Sequence, residues 1–583
     1  MATLAPAYAP RRPTETALYG IVRDNLETFL SWARETYAKP LPRYVEQELR
    51  AYLRCGVFAH GFVHCRCDDC GHDILVAFSC KQRGACPSCA GRRMSNTAAH
   101  LVDRVLPDVP VRQYVLSLPF ELRALAAFKP EVLRAMARLF VESIFGLYRT
   151  RARRDGLMGG ECGAVTFVQR FGGSLNLNVH MHVVVLDGVF VRDADHGVVF
   201  HAAPPPTLVD LEAIVRRVRD RALVWLRRRG LLDERPLEER SNEAPDPAAI
   251  DGCAAIAMYR GTLAMLPASE DEADGSSSET GNVGAPRSAF AVERDGFNLH
   301  AGVRIEAGDD LGRERLCRYG ARPPLSLERL RRLPGGRVAY RVKYVSRGRA
   351  KHRVMTSLEL LARLSALLPP PRYPLTRYHG VLAPRSAWRR EIVPRAPASS
   401  AELTAVTAAN RRCSPGASAR DQPVGKGTKA PAQTAGGGRD GHESRHRPAP
   451  SNGSPLAGAP HLSGSAAAAI AALPAIAPDR GEFPDVVLLT PNTLGVRHWS
   501  RLLGGLLYAT SPRLSWSMLL RRTFDIDILD CAKCHGRLRV IAAIADVRGA
   551  RRILERLGVP SAAPEAARAR DPTHLDDEEH ASA

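Results

Sequence analysis

The sequence predicts an α+β protein: a central antiparallel sheet flanked by helices, preceded by a small zinc-ribbon-like module. Three observations carry this. Between residues 110 and 202, short β-rich runs alternate with turn signals: "VPVRQYVLSL", "GAVTFVQRF", "LNLNVHMHVVVLDGVFV" and "HGVVFH". Helical periodicity occupies 130–150 and the stretch after Thr207. Ahead of the sheet stand two C-x2-C pairs, "CDDC" (67–70) and "CPSC" (86–89), with 15 residues between them.

Residues 1–50 read as helical and mixed in polarity. Residues 55–93 then hold seven of the thirteen cysteines. A C-x2-C knuckle turns two thiolates toward one ion, and two knuckles complete the tetrahedron that Zn²⁺ accepts. Cys67, Cys70, Cys86 and Cys89 are therefore the expected structural zinc ligands, with Cys55, Cys65 and Cys80 as spares and His64 and His72 as substitutes. Such a closed site has no open position for catalysis. Arg92 and Arg93 follow the second knuckle, where they would meet a phosphate backbone.

In "NLNVHMHVVV" (176–185), strand alternation turns Val179, Met181, Val183 and Val185 to one face. Asn176, Asn178, His180 and His182 turn to the other, with the two imidazoles side by side and able to share one ion. Asp187-Gly188, between two apolar runs, reads as a hairpin signal. Thr207 caps a helix in which Leu208, Leu211, Ile214, Val215, Val218 and Ala222 recur at helical spacing. Arg216, Arg217, Arg219 and Arg221 form its solvated face. Residues 233–290 read as a disordered insertion with an acidic loop. A short helix starts at Asp309 or Asp310 and stops at Gly320, with Tyr319 on its last turn. Thr356 and Glu359 form a capping box for "TSLELLARLSALL". No aromatic residue occurs between Trp388 and Phe483, so 393–482 reads as a disordered linker. "CAKC" (531–534) in the C-terminal unit is one knuckle without a second: half a ribbon completed across a dimer, a decayed module or a redox pair.

The chain's 583 residues suffice for several domains, and 82 Lys+Arg against 61 Asp+Glu give a formal charge of +21. That excess points to a polyanionic partner, nucleic acid first. The N-terminus lacks a signal pattern, and the bland run "AAAAIAALPAIA" (466–477) is too short to span a bilayer. A cytoplasmic protein whose cysteines bind metal is the expectation. No G-x-x-x-x-G-K-[ST] phosphate loop is present.

A metal on the histidines would hold a scissile phosphate, and a tyrosine is a suitable nucleophile for a phosphodiester. Tyr319, Tyr340, Tyr344, Tyr373 and Tyr378 are the candidates downstream.

With "FSCKQRGACPSCAGRRM", "VPVRQYVLSLP", "VQRFGGSLNLNVHMHVVVLDGVF", "RYGARPPLS", "MTSLELLARLSALLPPPR" and "RYHGVLAP" in this order, the chain resembles the rolling-circle transposases of bacterial insertion sequences. These are HUH endonucleases of the group named for insertion sequence ninety-one. The resemblance implies an HUH nuclease domain in which His180 and His182 hold Mg²⁺ or Mn²⁺, with Gln169 as candidate third ligand. It implies that Tyr319 attacks single-stranded DNA at the element's ends, leaving a 5′-phosphotyrosine and a free 3′-hydroxyl for strand transfer, with host replication supplying the rest. Arg92, Arg93 and Arg170 are the candidate DNA contacts. Where many members carry Y-x-x-x-Y, Arg315 takes the first position, so this is a single-tyrosine variant, with Tyr340 and Tyr344 in reserve. The expected divisions are 1–108 (helical N-terminus and zinc-binding domain), 109–392 (catalytic domain), 393–482 (linker), 483–560 (C-terminal unit) and 561–583 (tail). A plasmid or phage replication initiator, and a non-catalytic zinc-dependent DNA-binding remnant, are the alternatives. The expected partners are element ends, target DNA and host replication proteins in the bacterial nucleoid, not a membrane.

Overall fold

In the computed structural model the described residues are 11–194, 197–232, 248–258, 290–342, 351–395, the strand 486–488, 502–503 and 505–571. Among the described residues the longer helices are α1 (Ala17–Thr36), α2 (Arg43–Arg54), α3 (Pro87–Arg104), α4 (Phe120–Phe128), α5 (Pro130–Arg154), α6 (Leu208–Arg228), α7 (Ala249–Met258), α8 (Asp310–Gly320), α9 (Ser357–Leu367), α10 (Trp516–Phe524) and α11 (Val547–Arg556). The strands that matter here are β1 (Phe62–Cys67), β2 (Asp73–Ala77), β3 (Val111–Ser117), β4 (Gly163–Phe171), β5 (Leu177–Leu186), β6 (Gly188–Asp193) and β7 (Gly197–Ala202). After them come β8 (Ala291–Arg294), β9 (Phe297–Ile305), β10 (Leu330–Arg332), β11 (Arg337–Arg341), β12 (His352–Thr356), β13 (Thr376–Gly380), β14 (Val486–Leu488) and β15 (Leu538–Ile544).

The main sheet has the order β13-β4-β5-β3-β9-β8, antiparallel throughout. β5 lies at its centre, flanked by β4 and β3. One face, bearing Val179, Met181, Val183 and Val185, packs on α4, α5, α6, α7 and α9. Across the other, Val165, Phe167, Val184 and Leu186 meet Ala98 and Leu101 of α3 and Leu316 and Cys317 of α8. Apolar burial on both faces explains the near-continuous hydrophobic run of β5.

α6 is the expected amphipathic helix. Thr207 and Asp210 form a reciprocal capping box, and Leu211, Ile214, Val215, Val218 and Ala222 are buried, whereas Leu208, expected in the same stripe, is exposed in the first turn. α9 is buried all round, and Thr356 caps it through the Glu359 amide at 3.1 Å. The Glu359 carboxylate, however, pairs with Arg363 at 2.7 Å inside the core.

Three expectations are corrected. Asp187-Gly188 is not a hairpin turn: β6 pairs with β7, and the chain passes there from one sheet to another. The Asp187 carboxylate is buried, and accepts from Arg112 (3.0 and 2.9 Å), Arg304 (2.8 Å) and Tyr148 (2.6 Å). Gly188 follows because a Cβ there would meet the His201 carbonyl oxygen at 2.0 Å. Within the expected insertion 233–290, Ala249–Met258 form a helix with Cys253, Ala254, Ile256 and Ala257 in the core. In the expected disordered tail, Ala567 and Arg570 hydrogen-bond to α1 through Arg23, Asp24 and Thr28. Residues 233–247 and 259–289, the linker beyond Arg395 and the tail beyond Asp571 lie outside the described residues, as does Tyr344.

β1 and β2 form a hairpin, and the C-terminal β15 adds to β1 as a third, antiparallel strand. The C-terminal segment is thus part of the cysteine module. Removing one partner from a buried charged network leaves the others unpaired, so Asp187→Ala is expected to cost about 3–5 kcal/mol in urea unfolding. A cost below about 1 kcal/mol, the range of exposed pairs, would contradict this structural role.

Candidate active site and metal centres

Strand parity places His180 and His182 on the α8 face of β5, with ring centroids 5.0 Å apart. His180 stands opposite Gln169 of β4 and Ser117 of β3; His182 stands opposite Phe167 and Val115. α8 ends above this spot. A Cβ at Gly320 would come within 2.6 Å of the Phe167 ring, so glycine allows the helix end to touch the sheet. That contact lays the Tyr319 ring edge-on against His182, with centroids 5.3 Å apart and planes at 89°.

Gln169 holds the helix end. Its amide nitrogen donates to the Tyr319 and Gly320 carbonyls at 2.8 and 2.9 Å, taking acceptors that a helix C-terminus leaves over. Its amide oxygen accepts from Arg322 Nε at 3.2 Å. The Arg322 guanidinium also lies over the Tyr319 ring, 4.8 Å from its centroid. Arg322 thus joins the candidate site although no sequence motif singles it out; its position in "RYGARPP", three residues past the tyrosine, is the available signal. Among the described residues, no Asp, Glu, Cys or further His completes a three-ligand cluster with the two histidines.

Burial lowers the His180 imidazole to about 4; the Asn178 carbonyl opposes this shift, and Arg322 and Arg123 add to it. The neutral ring contacts that carbonyl through Nδ1 at 2.8 Å, leaving Nε2 to offer a lone pair. A neutral His180 ring, with the His182 ring next to it and Gln169 opposite on the neighbouring strand, offers donors of the kind a divalent cation accepts.

Tyr319 is 37 % exposed, so its ring is open to a bulky partner. Arg315, one turn earlier, is exposed too. Tyr340 lies on a strand rather than a helix and is buried, as is Tyr373, whose hydroxyl donates to the Ala126 carbonyl. His379 of β13 hydrogen-bonds Thr166 at 3.0 Å. Arg92 and Arg93 are exposed on α3. Arg170 is not available to DNA. Parity turns it away from Gln169 into the core, where it donates to the Ala127 and Ala366 carbonyls between the Phe128 and Tyr373 rings.

The expected zinc quartet is also corrected. Cys86 and Cys89 join Cys55 and Cys80, whereas Cys67 and Cys70 join Cys531 and Cys534. Local spacing failed because β1 and β2 carry the first knuckle away from the second, and the end of α2 brings Cys55 instead. In the first quartet, sulfur contacts of 3.5–3.7 Å match the edges of a tetrahedron with Zn–S near 2.3 Å. Cys86 and Cys89 open α3, whose N-terminal field favours thiolates. Buried Glu48 fixes the loop between, accepting from the Arg83, Gly84 and Ala85 amides at 3.0 Å each.

Residues 163–390 match the family model described as a putative transposase, and residues 21–118 match the one described as a transposase zinc-binding domain. The chain is also similar to the transposase for insertion sequence element IS801 of Pseudomonas savastanoi pv. phaseolicola. The two are 26% identical over 187 residues, 32% of this chain and 41% of that relative. The matched stretch is thus under half of the relative's length. No solved structure matches. No helix among the described residues is long and apolar enough to cross a membrane.

Burial lowers His379 to about 4 as well, with Arg377 adding. Unfolding returns both histidines to about 6.5. Between pH 6.5 and 4 the unfolded chain binds more protons, so stability falls as pH drops through that window and is whole above it. The double variant His180→Asn/His379→Asn is expected to lose less stability than the parent between pH 7 and 5 in urea titrations. Equal losses would show that these rings do not carry the slope.

Proposed function

We propose that this chain, which belongs to the transposase family with an N-terminal zinc-binding domain, nicks single-stranded DNA at the ends of an insertion sequence with Tyr319 as nucleophile. The observation that carries the reading is the convergence of His180, His182 and Tyr319 at the end of α8. The Tyr319 oxygen attacks the scissile phosphorus and loses its proton to solvent. The phosphorus–O3′ bond breaks, and that oxygen leaves as a free 3′-hydroxyl after taking a proton. The product is a 5′-phosphotyrosine, whose bond energy is kept for attack by another 3′-hydroxyl, as in rolling-circle strand transfer.

His180 and His182, with the Gln169 oxygen as third donor, would hold Mg²⁺ or Mn²⁺, which when bound supplies positive charge for the phosphate oxygens. Arg322, anchored on Gln169, adds a guanidinium beside the tyrosine. Arg92 and Arg93 contact the DNA backbone. Cys55, Cys80, Cys86 and Cys89 would hold a structural Zn²⁺ and take no part in the chemistry. With Arg315 in place of a second tyrosine, one nucleophile serves every step. Unwinding falls to host replication proteins, and the protein acts at the bacterial nucleoid.

The test incubates the protein with Mg²⁺ and end-labelled single strands spanning the element's ends, followed by a denaturing gel. Label moving with the protein is expected, and is lost in Tyr319→Phe. His180→Ala and His182→Ala are each expected to cut adduct formation at least about 100-fold, the scale of general electrostatic losses at such sites, while DNA binding persists. Adduct that survives Tyr319→Phe would overturn the assignment of the nucleophile. Binding without any adduct would favour the non-catalytic remnant.

A further inference from the structure

Cys67 and Cys70 meet Cys531 and Cys534 across 467 and 461 residues of sequence, with sulfur contacts of 3.5 and 3.6 Å. A disulfide needs about 2.05 Å, whereas edges near 3.8 Å belong to four thiolates around zinc. All four sulfurs lie within 4.8 Å of one another.

The two knuckles share one backbone design. The Gly71 amide donates to the Cys67 carbonyl at 3.0 Å, and the His535 amide to the Cys531 carbonyl at 2.8 Å. The Cys67 amide donates to the His72 carbonyl at 2.9 Å, and the Cys531 amide to the Gly536 carbonyl at 2.8 Å. Gly71 and His535, each following the second cysteine, are both left-handed, with φ of 67° and 60°. Pairing of β1 with β15 sets the knuckles face to face, and Asp68 binds Arg539 at 2.6 Å beside them. The unpaired knuckle of the C-terminal unit therefore has its second half in the same chain.

We propose that Cys67, Cys70, Cys531 and Cys534 form a second Zn²⁺ site that staples the C-terminal segment to the N-terminal module. Its consequence reaches α8. The same segment delivers Arg522 of α10 into a buried network. The guanidinium binds Asp103 of α3 at 2.8 Å and Glu314 of α8 at 3.1 Å, and Glu314 also binds Arg318 at 2.6 Å. Both Arg522 and Asp103 are shut off from water. The staple thus holds the charge that secures the helix carrying Tyr319; that last significance rests on the nuclease reading, while the metal site and its hold on α8 do not. Cys70 and Cys534 are exposed, whereas every thiol of the other quartet is buried or half-buried, so the second ion is the one a chelator reaches first.

The full chain is expected to contain two zinc ions by elemental analysis, and its cadmium-substituted form two ¹¹³Cd resonances, both in the four-sulfur region. A single ion or resonance would overturn the site, without recourse to any variant. Cys531→Ser/Cys534→Ser is expected to lose one ion and keep the other; retention of both would also overturn it. In hydrogen exchange followed by mass spectrometry, the variant's segment Asp310–Gly320 is expected to exchange at least tenfold faster. An unchanged rate there would overturn the coupling to α8. Neither measurement uses DNA cleavage, so failure of the staple and failure of the tyrosine nuclease are told apart.

Discussion

The seating of one helix end on one strand sets where Tyr319 stands against His182. α8 finishes where Gly320 touches Phe167 and where Gln169 takes the last two carbonyls of the helix. A residue with a side chain at 320 would lift the helix from the sheet and carry Tyr319 away from His182. Because β5 is central, its backbone is hydrogen-bonded on both edges, and the histidines cannot drift along it. The tyrosine is positioned from the other end as well: Arg313 is buried among the Pro107 carbonyl, Asp108 and Asp310 at the start of α8.

Charge inside the fold serves placement more than stability. Asp187 gathers Arg112, Arg304 and Tyr148 where the chain leaves the main sheet. Asp103, Arg522 and Glu314 join α3, α10 and α8, three helices from distant parts of the sequence. Replacing such networks with apolar groups often costs little, but a half-dismantled one is expensive. An arginine-rich chain can therefore be basic on its surface and still use arginine as an interior tie, as Arg170 and Arg363 also do.

What the sequence made legible follows from local rules. The alternation in "NLNVHMHVVV" placed both histidines on one face, and the helix bounds Asp309 and Gly320 survive in the structure as N-cap and last residue. What it hid depends on distance. Nothing in "CDDC" says which knuckle it faces, since any pair of thiols presented at that geometry will serve, and the partner lies at "CAKC" beyond 460 residues. Arg170 was misread although strand parity, applied to Gln169, would have turned it inward. Asp187-Gly188 has the chemistry of a turn, and only the burial of its carboxylate reveals a junction instead.

The proposed centre brings two imidazoles of β5 and the tyrosine of α8 around one metal ion. Pulsed electron paramagnetic resonance of Mn²⁺ bound to Tyr319→Phe with a single-stranded end oligonucleotide tests it most directly. The account predicts nitrogen couplings from two histidines, both removed in His180→Ala/His182→Ala, together with phosphorus coupling from the DNA. Mn²⁺ that shows phosphorus but no histidine nitrogen would contradict it.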